Sequence, residues 1–285
     1  MFDPPFRWDL TKETYLGGLL SGEKAETYDA FYDHILACCA RVLAFAGDSD
    51  LVFVGRSPES IFDHLSGLLF DTSWFDRLEL LQFSMRFRDE AEIRKQYPAA
   101  IPAIRDYLER LDLHPSALTK RSRSVTFIDL VLTGETFKML IRLVYNWSKE
   151  IRIEWEAVRR RIHLVGITSR MKTSPKTWRW QQHADWINLL ERGSVKNVSI
   201  PPDLWRFLGD YQCKVTRSFT PSRWGSSEAA QPSYNDDQLK GLRRAYDLFR
   251  SGKSNPCREE LVARMITEPA MKHGWFRSLV QQIRP

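Results

Sequence analysis

No stretch of this 285-residue chain holds the roughly 18 consecutive apolar residues that a membrane-spanning helix needs. The opening MFDPPFRWDL also lacks the basic-then-apolar order of a secretory leader. Both absences make the cytoplasm the expected location and remove a membrane from the expected partners. Cysteine is scarce: Cys38, Cys39, Cys213 and Cys257 show no CxxC or Cys/His ligand spacing, and the adjacent pair is poorly placed to bridge, so reduced thiols in mostly core positions are expected. The six histidines are scattered without HExxH, which favours structural or solvent-exposed roles. No GxxxxGK[ST] occurs, which disfavours a P-loop kinase or GTPase, and no Ser/His/Asp or Cys/His spacing suggests a triad. Internal repeats are absent as well.

What is present describes a globular chain. A hydrophobic share of 43% with 27% charged residues is enough for one large domain, or for a domain with an appendage. The net charge of +6 is uneven. Residues 1–50 carry 4 Lys/Arg against 9 Asp/Glu, residues 51–150 carry 14 against 14, and residues 151–285 carry 24 against 13. The basic C-terminal half favours an anionic partner: a polyphosphate ligand, a nucleic acid or the acidic N-terminal segment; spread-out charge on a solvated surface fits equally well.

Hydrophobic periodicity supplies the organisation. Tyr28, Phe31, Ile35, Cys38, Val42 and Phe45 mark one face of a helix within 24–45. LVFVG at 51–55 is short and apolar, as in a strand buried on both faces. A helix follows from Ile61, a second strand is expected within 77–87, and Glu90 to Leu113 has helical character interrupted by Pro98 and Pro102. The segment HPSALTKRSRS is expected as a basic loop before a strand at 124–131, a helix from Phe137 to Trp147 and a strand within 159–169. Strands alternating with helices imply βαβ units and a parallel α/β sheet. Residues 1–50 are expected as an N-terminal helical segment on that core, 51–215 as the core, 216–235 as a linker or long loop, and 236–285 as a small helical appendage.

In such a sheet ligands bind beyond the carboxyl ends of the strands. GRSPE (Gly55 to Glu59) and LTGET (Leu132 to Thr136) occupy that place in the sequence and are expected to wall one site. Gly134 allows close backbone approach, the amides of Gly134, Glu135 and Thr136 precede a helix, and Thr133 and Thr136 add hydroxyls, which suits a terminal phosphomonoester. The competing reading is a plain connection, with Thr133 capping the helix and Gly134 making the turn.

VTFIDLVLTGET, an apolar strand ending in an acid and followed by Thr-Gly-x-Thr, resembles the phosphoribosyl pyrophosphate signature of type I phosphoribosyltransferases. LVFVGRSPESIFDHL resembles that family's pyrophosphate loop. The resemblance implies a Rossmann-like core in which Thr133, Gly134, Glu135 and Thr136 bind a phosphate. It further implies that Gly55, Arg56, Ser57 and Ser60 bind pyrophosphate, and that Asp129 with Arg56 supports transfer of a phosphoribosyl group to a nitrogen nucleophile with Mg²⁺. Lys120, Arg121 and Arg123 stand where a closing lid is expected, or form an exposed basic turn. Two positions depart from the family: Ile128 replaces the first of two adjacent acids, and Leu132 stands where some purine-specific members carry an acid.

Two functions therefore stand side by side. One is a phosphoribosyltransferase. The other is a degenerate module that binds phosphoribosyl pyrophosphate or a nucleotide and contacts a nucleic acid or protein through its basic C-terminal half. Base stacking by the Trp-rich stretch Lys172 to Trp186 would serve the nucleic acid, and self-association into a homo-oligomer is compatible with either function. A nucleoside-modifying hydrolase using Asp129 and Glu59 is a third reading.

Overall fold

The chain builds a five-stranded, all-parallel sheet in the order β2-β1-β3-β4-β5, with helices on both faces. The computed structural model describes residues 4–22, 26–85, 89–170 and 180–285. After the short α1 (Glu13–Leu16), α2 (Phe31–Ala46) buries Phe31, Ile35, Cys38 and Val42 of the stripe expected from the sequence, and Cys39 beside them; Phe45 is half-buried and Tyr28 lies before the helix. β1 (Ser49–Val54) leads through a tight turn into α3 (Glu59–Leu68), and β2 (Leu78–Leu81) runs parallel to β1. β2 is shorter than the strand expected within 77–87; the last two expected positions, 86 and 87, lie outside the described residues.

The insert after β2 is helical, as Glu90 to Leu113 suggested, and splits at Pro98 into α4 (Glu90–Gln96) and α5 (Ala100–Arg110). Asp89 caps α4 by accepting from the Glu92 amide at 2.9 Å. Pro102 sits in the first turn of α5, where a helix leaves its N–H groups unpaired in any case. The expected basic loop is instead largely α6 (Pro115–Lys120). Pro115 opens it, and His114 accepts from the Ser116 amide at 3.1 Å. The sequence signal was a proline at the first helical position, outweighed there by the run of basic residues.

β3 (Ser124–Leu130) is the central strand, followed by α7 (Glu135–Glu150), α8 (Trp155–Arg159) and β4 (Ile162–Ser169). β5 (Val195–Ile200) was not legible in the sequence. Its residues VKNVSI mix polar and apolar positions because it forms a sheet edge, and only Val198 and Ile200 are buried. α9 (Pro202–Arg206) runs into a π-helical turn at Phe207–Tyr211.

Two large apolar clusters sandwich the sheet. On one face Phe53, Ile128, Val165 and Val198 meet α2, α3 and α9. On the other, Val52, Val54, Val125 and Phe127 meet α5, α6 and α7. Alternate strand residues face opposite clusters, the expected pattern for strands covered on both sides. The C-terminal helices α10 (Asp236–Lys253), α11 (Asn255–Met265) and α12 (Gly274–Ile283) place Leu248, Leu261, Phe276 and Leu279 in the first cluster. Each such fully buried side chain contributes roughly 1.5–3 kcal/mol, so these helices extend the main core. No helix among the described residues is long and apolar enough to cross a membrane.

Candidate functional site at the carboxyl ends of β1 and β3

In the strand order 2-1-3-4-5 the direction of winding reverses between β1 and β3, the switch point at which open α/β sheets hold their ligands. β1 and β3 are direct neighbours, with Phe53 opposite Ile128. The sheet therefore brings together GRSPE and LTGET, the two loops paired on sequence grounds.

Gly55 turns the chain out of β1 with φ at +77° while its amide donates to the Leu81 carbonyl at 2.8 Å. A Cβ there would lie 3.0 Å from the Phe83 carbonyl oxygen, so the turn requires glycine on two counts. Beyond it the loop is stitched to a distant segment, residues 208–216. Gln212 Nε2 donates to the Ser57 carbonyl at 2.8 Å and to Leu208 at 2.5 Å, while its Oε1 accepts from Ser60 Oγ at 2.7 Å. Lys214 Nζ donates to the carbonyls of Leu208 at 2.6 Å and Arg56 at 3.4 Å. Glu59 accepts from the Val215 amide at 3.0 Å and from Thr216 Oγ1 at 2.8 Å. Arg56 Nη1 in turn donates to the Thr216 carbonyl at 3.2 Å.

This arrangement reassigns several expected donors. The Ser60 hydroxyl is buried and donates to Gln212, and Ser57 offers Gln212 its carbonyl. Glu59, the expected hydrolase acid, is 2% exposed and bound by its own chain. The π-helical turn explains how Gln212 arrives: its amide donates to Phe207 across five residues at 2.8 Å, and the extra residue aims the side chain at α3.

On β3, Asp129 is 5% exposed and accepts from the Leu130 amide at 2.7 Å and from the Thr136 hydroxyl. Burial pushes its carboxyl up to about 8, opposed by those two donors and by the charge of Lys214. Lys214 is pulled down to about 8, chiefly by burial, while Glu59 and Asp129 hold it up and Arg56 and Arg244 press it down. The two groups are a buried acid and a buried amine, each drawn towards its neutral form. Ile128, at the position of the missing acid, is fully buried in the α2/α3 cluster on the other face.

In the second loop, Leu132, Thr133 and Glu135 are exposed, and Glu135 pairs with Lys138 at 3.3 Å. Gly134 adopts the left-handed region, with φ at +85°, and opens α7. The indole of Trp180 covers it. A Cβ would meet Trp180 Cε3 at 2.5 Å, so the close approach expected of a ligand is made by a tryptophan of the same chain. Trp180 is fixed in turn by Nε1 donating to Asn197 at 2.7 Å and by stacking on Trp186, with ring centroids 6.0 Å apart. Both tryptophans are 2% exposed and belong to the core, which removes them from base stacking; residues 171–179 of the same stretch lie outside the described residues.

The expected lid is at the wrong end. Arg121 and Arg123 pair with Asp50 at 3.3 and 2.9 Å, and Asp50 stands near the amino end of β1. Lys120 closes α6 immediately before them. A strand rises about 3.3 Å per residue, so the length of β1 separates these cations from Gly55. Sequence order placed them before β3; only the parallel topology shows that this means the amino-terminal side of the sheet.

The chain matches no family model, no curated protein and no solved structure.

Proposed function

We propose that this protein is phosphoribosyltransferase-like and binds phosphoribosyl pyrophosphate or a nucleotide in the β1/β3 crevice, as a binding module in place of a transferase. The observation that carries the reading is the juxtaposition of the loops at 55–60 and 132–136 across the switch point. The exposed Thr133 hydroxyl and the amino end of the 16-residue α7 supply donors for a phosphomonoester.

Asp129 favours binding without transfer. A ribose diol is gripped by ionised carboxylates, whereas Asp129 stands alone, is engaged by Leu130 and Thr136, and is held towards its protonated form. The Mg²⁺ implied by the resemblance does not fit these donors. Among the described residues no group of three or more His, Cys, Asp or Glu side chains stands ready for a metal, and the cation that faces Asp129 is Lys214.

The test is calorimetric titration of the full chain with phosphoribosyl pyrophosphate and with nucleoside monophosphates, alongside an assay for released pyrophosphate across a panel of bases. Saturable binding that falls about tenfold in Thr133→Val, with no pyrophosphate release, is expected. Absence of binding to every one of these ligands would overturn the proposal, and turnover would restore the transferase. The basic C-terminal half as a nucleic-acid contact is examined by adding a single-stranded oligonucleotide, whose affinity would fall steeply with salt.

A further inference from the structure

A cavity of about 420 Å³ lies where the start of α4, the middle of α7 and the chain at 185–189 come together. That volume is within the range of pockets that hold small organic ligands. No residue of 55–60 or 132–136 lines it, so it is separate from the switch-point site. Met139, Arg142 and Asn146 contribute from α7, and their steps of three and four put them on one face of that helix. The buried part of the wall is apolar. Met139 and Trp186 are each 2% exposed, with Tyr145 and Leu189 half-buried beside them. Trp186 stacks on Trp180, but its indole N–H donates to nothing among the described residues and is not sealed from solvent, so its open side is the cavity. A buried tryptophan normally finds an acceptor for that group.

The charges of the wall do not balance. Asp89, Glu90 and Asp185 face one guanidinium, that of Arg142. Two of the three acids are answered by the chain itself. Glu90 accepts from Arg94 Nε and from Asn146 Nδ2, each at 2.9 Å, and pairs with Arg105 at 3.5 Å; Glu150 shares both arginines, so that group of four is neutral. Asp185 pairs with Arg142 at 3.3 Å and stands 4.0 Å from Lys138. Asp89 is left over. Its Oδ1 caps α4 by accepting from the Glu92 amide at 2.9 Å, and it forms no ion pair among the described residues. Its second oxygen and the Asn146 Oδ1 are acceptors without a donor among those residues, since the Asn146 amide nitrogen is spent on Glu90. Lys149 already covers one face of the Tyr145 ring at 4.3 Å, so the sign of a ligand is set by Asp89 and not by that ring.

We infer that this cavity binds an arylalkyl amine, with its ammonium on Asp89 and the Asn146 Oδ1 and its ring against Met139, Trp186 and Leu189. One uncompensated carboxylate calls for a monocation, and an ammonium donates to carboxylate and amide oxygens alike in charge-assisted bonds. The apolar wall selects an organic cation over a hydrated metal ion, which needs oxygen on most sides. A flat ring suits a wall built from Trp186 and Tyr145, and its burial there supplies most of the binding energy. The inference is independent of the phosphate reading at the β1/β3 loops.

Three probes that share one ring separate charge from shape: tryptamine is a cation, tryptophol is neutral and indole-3-acetate is an anion. Each is titrated calorimetrically into the full-length wild type, Asp89→Asn and Ala91→Trp, with circular dichroism confirming the fold. Asparagine caps a helix as well as aspartate does, so Asp89→Asn removes the charge and keeps α4. Ala91 is an exposed lining residue, and a tryptophan there fills the cavity from its rim. Tryptamine is expected to bind saturably, one per chain, at least about tenfold more tightly than tryptophol, and indole-3-acetate more weakly than either. Asp89→Asn should bring tryptamine to the level of tryptophol and leave tryptophol unchanged, while Ala91→Trp removes both. No binding of tryptamine to the wild type, equal affinity for tryptamine and tryptophol, or tryptamine binding untouched by Asp89→Asn would overturn the inference. Preferred binding of indole-3-acetate would assign the cavity to anions through Arg142 and overturn it as well.

Discussion

Trp180 lies against Gly134 so closely that a single added methyl group would overlap its ring, at 2.5 Å from Cε3. The glycine that looks like a ligand contact in the sequence is also where the 180–190 segment closes onto the start of α7. Gly134→Ala is expected to destabilise by about 2–4 kcal/mol, combining the left-handed backbone with overpacking. Urea unfolding is the measurement. In a Trp180→Ala background most of the penalty should disappear, leaving the backbone part; an unchanged penalty there would deny the steric relationship.

Gln212 holds the loop after β1 through Ser57, Ser60 and Leu208, all from a position 5% exposed. Removing it leaves the Ser57 carbonyl without that donor and the buried Ser60 hydroxyl without its acceptor, while Leu208 keeps Lys214. Gln212→Ala should cost about 2–4 kcal/mol, and Gln212→Glu at least as much at neutral pH, because a carboxylate cannot donate to those carbonyls. Chemical denaturation at fixed pH distinguishes this from a surface role, for which the loss would stay within about 0.5 kcal/mol.

Asp129 gives a pH dependence with a definite sign. Its folded value of about 8 lies above the ordinary 3.8, so the folded chain holds the proton more tightly. Its contribution to stability is full below pH 4 and is lost as pH rises towards 8, with a limiting slope of about 1.4 kcal/mol per pH unit. Lys214 acts in the opposite direction above pH 8, since its folded value lies below 10.5 and stability returns as the unfolded amine deprotonates. Asp129→Asn should therefore gain on wild type between pH 5 and 8. A stability difference that stays flat across that window would place Asp129 in a solvated setting.

His64 supplies the acid limb. Burial pulls it down to about 4, its Nδ1 sits 2.9 Å from the Leu248 carbonyl and its Nε2 is 3.6 Å from Cys257 Sγ. The unfolded imidazole protonates first, so stability falls from pH 6.5 towards 4. His64→Gln should flatten that limb of a thermal-unfolding series.

Arg121 and Arg123 serve as a control for the site. Their pairs with Asp50 lie on the surface at the other end of the sheet. Replacing both with Ala is expected to cost no more than about 1 kcal/mol per pair and to leave ligand titrations unchanged. A loss of binding would return them to the crevice.

Local patterning alone reveals the alternation of strands and helices, most of the buried stripe of α2, the strands β1, β3 and β4, and the two loops that meet at the switch point. Those features are local: apolar period, glycine placement and helix openings act over a few residues, and neighbouring signals agree. β5 escaped because an edge strand buries only alternate residues, and α6 because its basic ending obscured its proline start. The tertiary structure alone decided what occupies the site. Gln212 and Lys214 lie more than 150 residues from Ser57 and Arg56 in sequence and reach them only through the turn after α9. Trp180 covers Gly134 because β4 and β5 carry it there. Such long-range hydrogen bonds and charge clusters leave no periodic trace in a sequence, since the partners share only a position in space.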